Sequence, residues 1–289
     1  MPVGFGINVN QSAAPDSDPV GEALHAEDLG FDMVLLSDHL VGGRPTHETW
    51  TLLTWLASRT SRVRLGTNVL GLPYRHPAVT AKMAETLQRL SGARFVLGLG
   101  GGGTDAEFHA FGLPVREPRQ KIDALEEALE LIRRLWNEES VTFHGRHYSV
   151  HEATIDPRPE DPIPLWLRTY GPRALRLTGR IADGWIPSFP FAPPNRWREM
   201  RDVVREAAEE ADRDPSEIEL AYNVGVRLDG SSAARRPIVA GSAQEVAETL
   251  AGFVRDGVTF LNVWPVGNAR EQAERIAREV LPVVREASG

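Results

Sequence analysis

Two hydrophobic patterns alternate along the whole chain. Short apolar runs, rich in β-branched residues and without polar alternation, recur eight times, and such runs are typical of strands buried on both faces. They lie at 3–9, 31–37, 63–70, 94–100, 163–169, 184–189, 218–226 and 259–265. Between them, apolar residues repeat at i, i+3 and i+4, which predicts amphipathic helices. The clearest of these stretches is QKIDALEEALELIRRLW at 120–136.

Eight strands, each followed by a helix, predict an α/β protein with the architecture of a (β/α)₈ TIM barrel. One segment, 141–162, interrupts this order between the fourth helix and the fifth strand, and we expect an excursion with a hairpin about Gly145. The stretches 242–245 and 104–107 fit the capping-box pattern of helix starts. No linker, charge block or low-complexity tract marks a boundary, so residues 1–289 are predicted to form a single domain.

Composition and charge exclude several classes of protein. A net charge of −8 disfavours nucleic-acid binding, because phosphates require a basic face. No apolar run approaches the roughly 20 residues of a membrane helix, and the start MPVGFGINVN lacks the regions of a secretory signal. The absence of cysteine excludes disulfides, thiolate metal sites and a cysteine nucleophile. We therefore expect a cytoplasmic protein that engages neither nucleic acid nor membrane.

Asp38 and His39 follow the second apolar run directly. Burying a charge without a partner costs several kcal/mol, whereas the carboxyl ends of barrel strands form the mouth where active sites lie. Two interpretations are open at this point. The pair belongs to a site at the mouth, where a histidine can act as general acid or base, or Asp38 caps the next loop and His39 is a polar residue of the rim.

The glycine run GLGGGG, at 98–103, ends the fourth strand. It formally matches the dinucleotide pattern G-x-G-x-x-G, but that fingerprint normally opens the first βα unit of an open sheet. Three βα units precede it here. A glycine-lined strand end that lets a flat ring approach the backbone closely is therefore favoured.

A possible phosphate site follows the fifth strand, where Tyr170-Gly171-Pro172 begins a helix with proline in the first position. The free N–H groups and the positive dipole end of such a helix suit a phosphate, and Arg168 and Arg173 flank the turn. A simple turn with exposed arginines is the alternative. The histidines at 144, 147 and 151 lie in the excursion without a carboxylate pattern, so no metal site is predicted.

Several motifs together carry a resemblance to a known family. They are GFDMVLLSDHL, LGTNVLGLPYRHPAVTAKMAETLQRLSGARFVLGLGGG, GRHYSV, YGPRALRLTGRIADGWIPS and GVTFLNVWP. With them the chain resembles the bacterial luciferase-like family of flavin and deazaflavin barrel enzymes over nearly its whole length. The third-strand stretch that continues into RHP, with the late WP, is most similar to the branch that uses coenzyme F420.

The resemblance implies a role for each matching residue. His39 matches the active-site histidine that faces the redox-active ring, and Asp38 matches a coenzyme contact beside it. Asn68-Val69 matches a non-proline cis peptide that backs the ring. The other implied coenzyme contacts are Gly100, Gly101 and Gly102 beside the ring, Thr169, Tyr170, Gly171 and Pro172 in the phosphate loop, and Ser188 near that loop.

The function implied by the resemblance is hydride transfer between F420 and a small organic substrate, in a homodimer. The alternatives are an FMN-dependent monooxygenase that activates oxygen, and a flavin- or deazaflavin-binding protein without turnover. Relatives that dehydrogenate alcohols or sugars carry Trp and Glu where this chain has Gly43 and Gly103. No second acid or base is evident without that Glu, which argues against dehydrogenation of an alcohol or a sugar phosphate.

Overall fold

The computed structural model describes residues 3–41, 45–230 and 236–287. The strands are β1 (Gly4–Asn8), β2 (Met33–Leu36), β3 (Arg64–Thr67), β4 (Leu70–Gly71), β5 (Phe95–Gly100), β6 (Val141–His144), β7 (Ser149–Ala153), β8 (Leu165–Leu167), β9 (Gly184–Trp185), β10 (Glu219–Leu228), β11 (Val239–Gly241) and β12 (Phe260–Pro265).

The helices alternate with these strands. They are α1 (Pro19–Asp28), α2 (Thr49–Arg59), α3 (Pro77–Ser91), α4 (Asp105–Ala110), α5 (Pro118–Asn137), α6 (Pro172–Ile181), α7 (Pro194–Glu209), α8 (Ala243–Arg255), α9 (Ala269–Arg275) and α10 (Leu281–Glu286), with a π-helical turn between the last two. None of the helices within the described ranges is long and apolar enough to cross a membrane.

Eight parallel strands close into a barrel, in the order β1, β2, β3, β5, β8, β9, β10, β12 and back to β1. Each contains or overlaps one of the eight apolar runs of the sequence, so the (β/α)₈ prediction is confirmed. The short strands β4 and β11 only extend the pairing of β5 and β10. The assignment of 1–289 to one domain stays a prediction.

The predicted excursion is an antiparallel hairpin of β6 and β7, with Gly145 at the turn. Its turn is held by the carboxylate of Glu127 on α5, which accepts hydrogen bonds from the backbone amides of Arg146, His147 and Tyr148 at 2.8, 2.8 and 3.1 Å. A carboxylate about 20 residues earlier in the chain therefore fixes this turn.

An apolar layer fills the barrel interior, and a polar layer covers it. The apolar layer consists of Met33, Leu35, Val96, Trp166, Ile186, Ala221 and Phe260. Side chains along a strand alternate between its two faces, so the residue two positions after an inward-facing one also points inward. After Trp166, Ile186, Ala221 and Phe260, the residue two positions on is polar. These polar residues are Arg168, Ser188, Asn223 and Asn262. The mouth of the barrel therefore has a polar floor.

One of the two predicted capping boxes is present. The Ser242 hydroxyl accepts from the Glu245 amide at 3.3 Å, and Glu245 accepts from the Ser242 amide at 2.8 Å. The box at 104–107 is wrong: Thr104 makes no side-chain cap, and the carboxylate of Glu107 turns away from the helix start toward the loop after β2.

Candidate active site

A cavity of about 760 Å³ opens at the carboxyl ends of the barrel strands. The structure brings together there nearly all residues that the sequence singled out. These are Asp38, His39, Asn68, Val69, Gly100, Gly101, Gly102, Thr169, Tyr170, Gly171 and Pro172. Gly103 also lines the cavity, whereas Gly43 lies outside the described residues. The roles assigned to these residues stay predictions.

Asp38 is buried, and its two carboxylate oxygens differ in their surroundings. Oδ2 accepts from the Gly71 amide at 2.9 Å and from Arg75 at 3.2 Å. Oδ1 is buried without a hydrogen-bond partner among the described residues. Burial raises the pKa of Asp38 above its usual range, against the opposing effects of Arg75 and the Gly71 amide. Asp38 lines the cavity, so this oxygen is a candidate for a ligand contact.

His39 projects into the cavity from the end of β2, and its side chain is 50% exposed. Its Nδ1 lies 3.1 Å from Oε2 of Glu107, whose side chain is only 2% exposed. Gln11 holds the backbone of His39 in place through a 2.9 Å hydrogen bond to its carbonyl oxygen. The second ring nitrogen, Nε2, is therefore the one available to chemistry in the cavity.

Glu107 is a functional candidate that the sequence analysis missed. Its Oε1 accepts from the backbone amides of Leu40 and Val41, the latter at 2.8 Å, and Tyr74 also donates to the carboxylate. Burial raises the pKa of Glu107, but hydrogen bonds from Val41, His39 and other donors outweigh it and leave that pKa below its usual range. An ionised Glu107 accepts from Nδ1–H of His39 and so leaves the lone pair on Nε2.

Tyr74 completes this group of side chains at the cavity. Its ring meets that of Phe108 edge to face, with 5.0 Å between centroids, and both rings line the cavity. Burial, followed by the hydrogen bond to Glu107, raises the pKa of Tyr74 well above its usual range, so the phenol stays protonated. Tyr74 lies within the third-strand motif of the sequence, but nothing in that motif assigned it a role of its own.

Close backbone approach explains the glycines at the end of β5. A Cβ added to Gly98 would lie 2.0 Å from the carbonyl oxygen of Thr67, and one added to Gly100 would lie 2.8 Å from Cγ2 of Val69. The peptide bond between Asn68 and Val69, which faces this strand, is cis. Where the β3 and β5 ends meet, Gly100 to Gly102 form a wall of the cavity that is bare except for Val69, and a flat ring can rest on this bare wall.

The start of α6 has the features of an anion site. Pro172 occupies the first turn, no side chain caps the helix, and no hydrogen bond from the amides of Arg173 or Ala174 is found in the described part of the chain. The turn residues line the cavity. Arg173 is paired with Asp123 at 2.5 Å and Glu126 at 3.2 Å, so its charge is already balanced.

The structure also gives the positions of Ser188 and Arg168. Ser188 does not line the cavity: its hydroxyl accepts from Asn223 at 3.0 Å, and its amide donates to the Tyr170 hydroxyl at 3.1 Å. Ser188 belongs to the polar floor, and it contacts Tyr170, which lines the cavity. Arg168 does not flank the phosphate turn but points into the barrel, where it donates to the Asn68 carbonyl at 2.7 Å.

The chain is similar in sequence to one known protein family and to several of its members. The sequence profile of luciferase-like monooxygenases matches residues 7–237. An F420-dependent glucose-6-phosphate dehydrogenase of Nakamurella multipartita is 37% identical over 79% of this chain and 68% of its own length. One of Intrasporangium calvum is 42% identical over 58% of this chain, and the match spans about half, 52%, of that relative.

Solved structures share the whole fold at low sequence identity. An F420-dependent secondary alcohol dehydrogenase, in complex with an F420–acetone adduct, superposes with a TM-score of 0.89 at 20% identity, covering 98% of this chain and 99% of that one. The F420-dependent tetrahydromethanopterin reductase of Methanopyrus kandleri gives 0.82 at 23% identity, with 98% and 99% covered. The barrel is thus shared with both enzymes.

Proposed function

The chain belongs to the luciferase-like monooxygenase family, and from this membership we propose that it is an oxidoreductase that transfers a hydride between coenzyme F420 and a small organic substrate. The observation that carries the proposal is a single cavity that joins a carboxylate-backed histidine to an uncapped helix start. The names of the relatives above support F420 as the coenzyme.

The residues of the cavity fit a ring coenzyme with a phosphate. The bare wall of β3 and β5 leaves space for the ring, and the free amides at the start of α6 suit the phosphate. The unpartnered Oδ1 of Asp38 offers a hydrogen-bonding atom to the ring system. We assign these three elements to coenzyme binding.

The coenzyme supplies the hydride chemistry when bound, and the protein supplies orientation and proton transfer. Glu107 holds the His39 ring by Nδ1, so that Nε2 points to the cavity and can take a proton from, or return it to, a substrate oxygen. The protonated Tyr74 donates to Glu107 and fixes the position of this carboxylate. His39 is thus the general acid–base of the proposal.

Parallel binding titrations with F420 and FMN test the coenzyme assignment. We expect F420 to bind at least about a hundredfold more tightly, a difference of roughly 2.7 kcal/mol. Fluorescence titration of the purified protein measures both constants. Preferential binding of FMN would instead select the monooxygenase alternative, and binding of F420 without turnover of any tested substrate would select the binding-protein alternative.

Gly171→Val tests the helix start as the phosphate site. We expect coenzyme affinity to fall at least about tenfold, because a branched side chain would crowd the free amides of α6. Folding should survive, since Gly171 has φ −83 and an added Cβ meets no atom within 4 Å. Coenzyme titration with a thermal unfolding curve measures both effects. Gly171→Ala should lose less affinity, and unchanged affinity in a folded Gly171→Val protein would remove the loop from the site.

The substrate is a small molecule, as the dehydrogenase relatives indicate. The homodimer and the cytoplasmic location stay predictions of the sequence. Exposed apolar side chains on two adjacent helices support the homodimer: Trp55 of α2 is 58% exposed, and Leu90 of α3 is 73% exposed. Light scattering of the purified protein tests it, and a monomer at high concentration would contradict it.

A further inference from the structure

The polar floor of the cavity carries a guanidinium group whose charge is not balanced. Arg168 follows β8 and points inward above Trp166, and both of its hydrogen bonds to described residues use Nη2, which donates to the carbonyl and side-chain oxygens of Asn68. A guanidinium has five N–H donors. Nε is buried without a partner, and no bond from Nη1 is found among the described residues. Three donors of Arg168 thus remain unused.

The other cations of the cavity mostly have partners. Lys121 lies 2.5 Å from Asp105, and Arg173 is paired with two carboxylates. Arg168 and Arg236 both line the cavity, and neither lies within 4 Å of a carboxylate in the part of the chain that the structure describes. Their like charges oppose each other. An anion in the cavity near both guanidinium groups would offset this repulsion.

Arg236 stands at the mouth of the cavity. It is exposed, and its guanidinium lies 5.8 Å from the centre of the Phe191 ring, which also lines the cavity. The ring of Tyr170 packs on Phe191 at 5.5 Å between centroids. Arg236 is therefore held beside the cavity by an aromatic contact, while its N–H groups stay available to a ligand.

The position of Arg168 separates it from the phosphate site at α6. Strand alternation turns Thr169 outward, where its hydroxyl lies 2.7 Å from that of Thr178 in α6, and turns Arg168 inward to the floor. The free amides at the start of α6 can bind the phosphate of the coenzyme. The Arg168 guanidinium on the polar floor is then available to the substrate.

We propose that Arg168 and Arg236 form an oxyanion subsite, and that the substrate is a small organic anion with a carboxylate or phosphate group. The assignment to the substrate rests on the proposed function, because it takes the coenzyme to occupy the α6 start. Arginine suits such a group, since its planar fork donates two parallel hydrogen bonds to one oxyanion.

Calorimetric titration with inorganic phosphate, at constant ionic strength, tests the subsite with and without saturating F420. We expect the F420-loaded protein to bind phosphate, and Arg168→Met and Arg236→Ala each to weaken that binding by about tenfold or more, as expected for lost charge-assisted hydrogen bonds. Arg168→Lys should retain part of the affinity. F420 affinity should change less than about threefold in all three.

Arg198→Ala is the matched control, because Arg198 lies on α7 and is paired with Asp256 at 2.7 Å, outside the cavity. It should bind phosphate as the wild type does. Unchanged phosphate binding in both Arg168→Met and Arg236→Ala would overturn the subsite. A parallel loss of F420 affinity would overturn its assignment to the substrate. A wild-type protein that binds no F420, yet loses phosphate binding on Arg168→Met, keeps the subsite and contradicts the proposed function alone.

Discussion

Replacing His39 by alanine should lower turnover by about 10²–10⁴-fold, or roughly 3–5 kcal/mol of barrier. The ring is half-exposed to the cavity and held at Nδ1 by Glu107, so Nε2 is the group that we propose to move a proton. Because coenzyme binding is assigned to the α6 start and the bare wall, coenzyme affinity should change by less than about tenfold. Steady-state kinetics and coenzyme titration measure the two effects.

Two variants make this result specific. His144→Ala removes an exposed imidazole of the hairpin, and should leave both quantities unchanged. Asp38→Asn should reduce coenzyme affinity at least as much as turnover, because the buried carboxyl of Asp38 is assigned to binding. Full turnover in His39→Ala would make His39 a polar residue of the rim, the alternative that the sequence left open.

The fold was predictable because its signals are local and repeated. The eight runs are buried on both faces and the helices have one apolar face, so each element shows its period in the sequence. The helix α5 is an example, with Leu125, Leu129 and Ile132 all buried on one side. The site could be placed in outline for the same reason, since strand ends converge in a barrel.

The positions that were mispredicted are those set by tertiary contacts. Thr104 to Glu107 has the spacing of a capping box, but the buried amides after β2 outcompete the helix start for the carboxylate of Glu107. Arg168 was placed beside the phosphate loop, although the register of β8 puts it in the polar floor, where it donates to the Asn68 carbonyl. Register is a property of the closed sheet. The sequence alone does not fix it, and therefore does not show which strand-end residues face inward.

Glu107→Gln should lower turnover by about 10–100-fold, the effect usually seen when the partner that orients a functional histidine is changed. The Glu107 carboxylate acts only as a hydrogen-bond acceptor. Its Oε1 accepts from the backbone amides of Leu40 and Val41, and its Oε2 accepts from His39. A carboxamide has only one accepting atom. If the carboxamide oxygen accepts from the two backbone amides, the carboxamide NH₂ group faces Nδ1 of His39. Nδ1 must then accept a hydrogen bond, so the ring proton of neutral His39 moves to Nε2. A neutral His39 in that tautomer cannot act as a base toward the cavity.

The pH profile and the tautomer of His39 separate this positioning role from a merely structural one. Because the pKa of Glu107 lies below its usual range, the wild-type stability that it provides is present above the unfolded-state pKa and is lost as pH falls through the folded-state value. Glu107→Gln should lack this acid dependence and should also shift the pH profile of turnover, with the changed tautomer visible by ¹⁵N NMR. Glu127→Gln is the matched control, since Glu127 also accepts from backbone amides, three against the two of Glu107, but lies on the hairpin side of α5. Glu127→Gln should lower the free energy of unfolding and leave the pH profile of turnover and the His39 tautomer unchanged. An unchanged tautomer and pH profile in a folded Glu107→Gln protein would show that Glu107 only anchors the loop after β2.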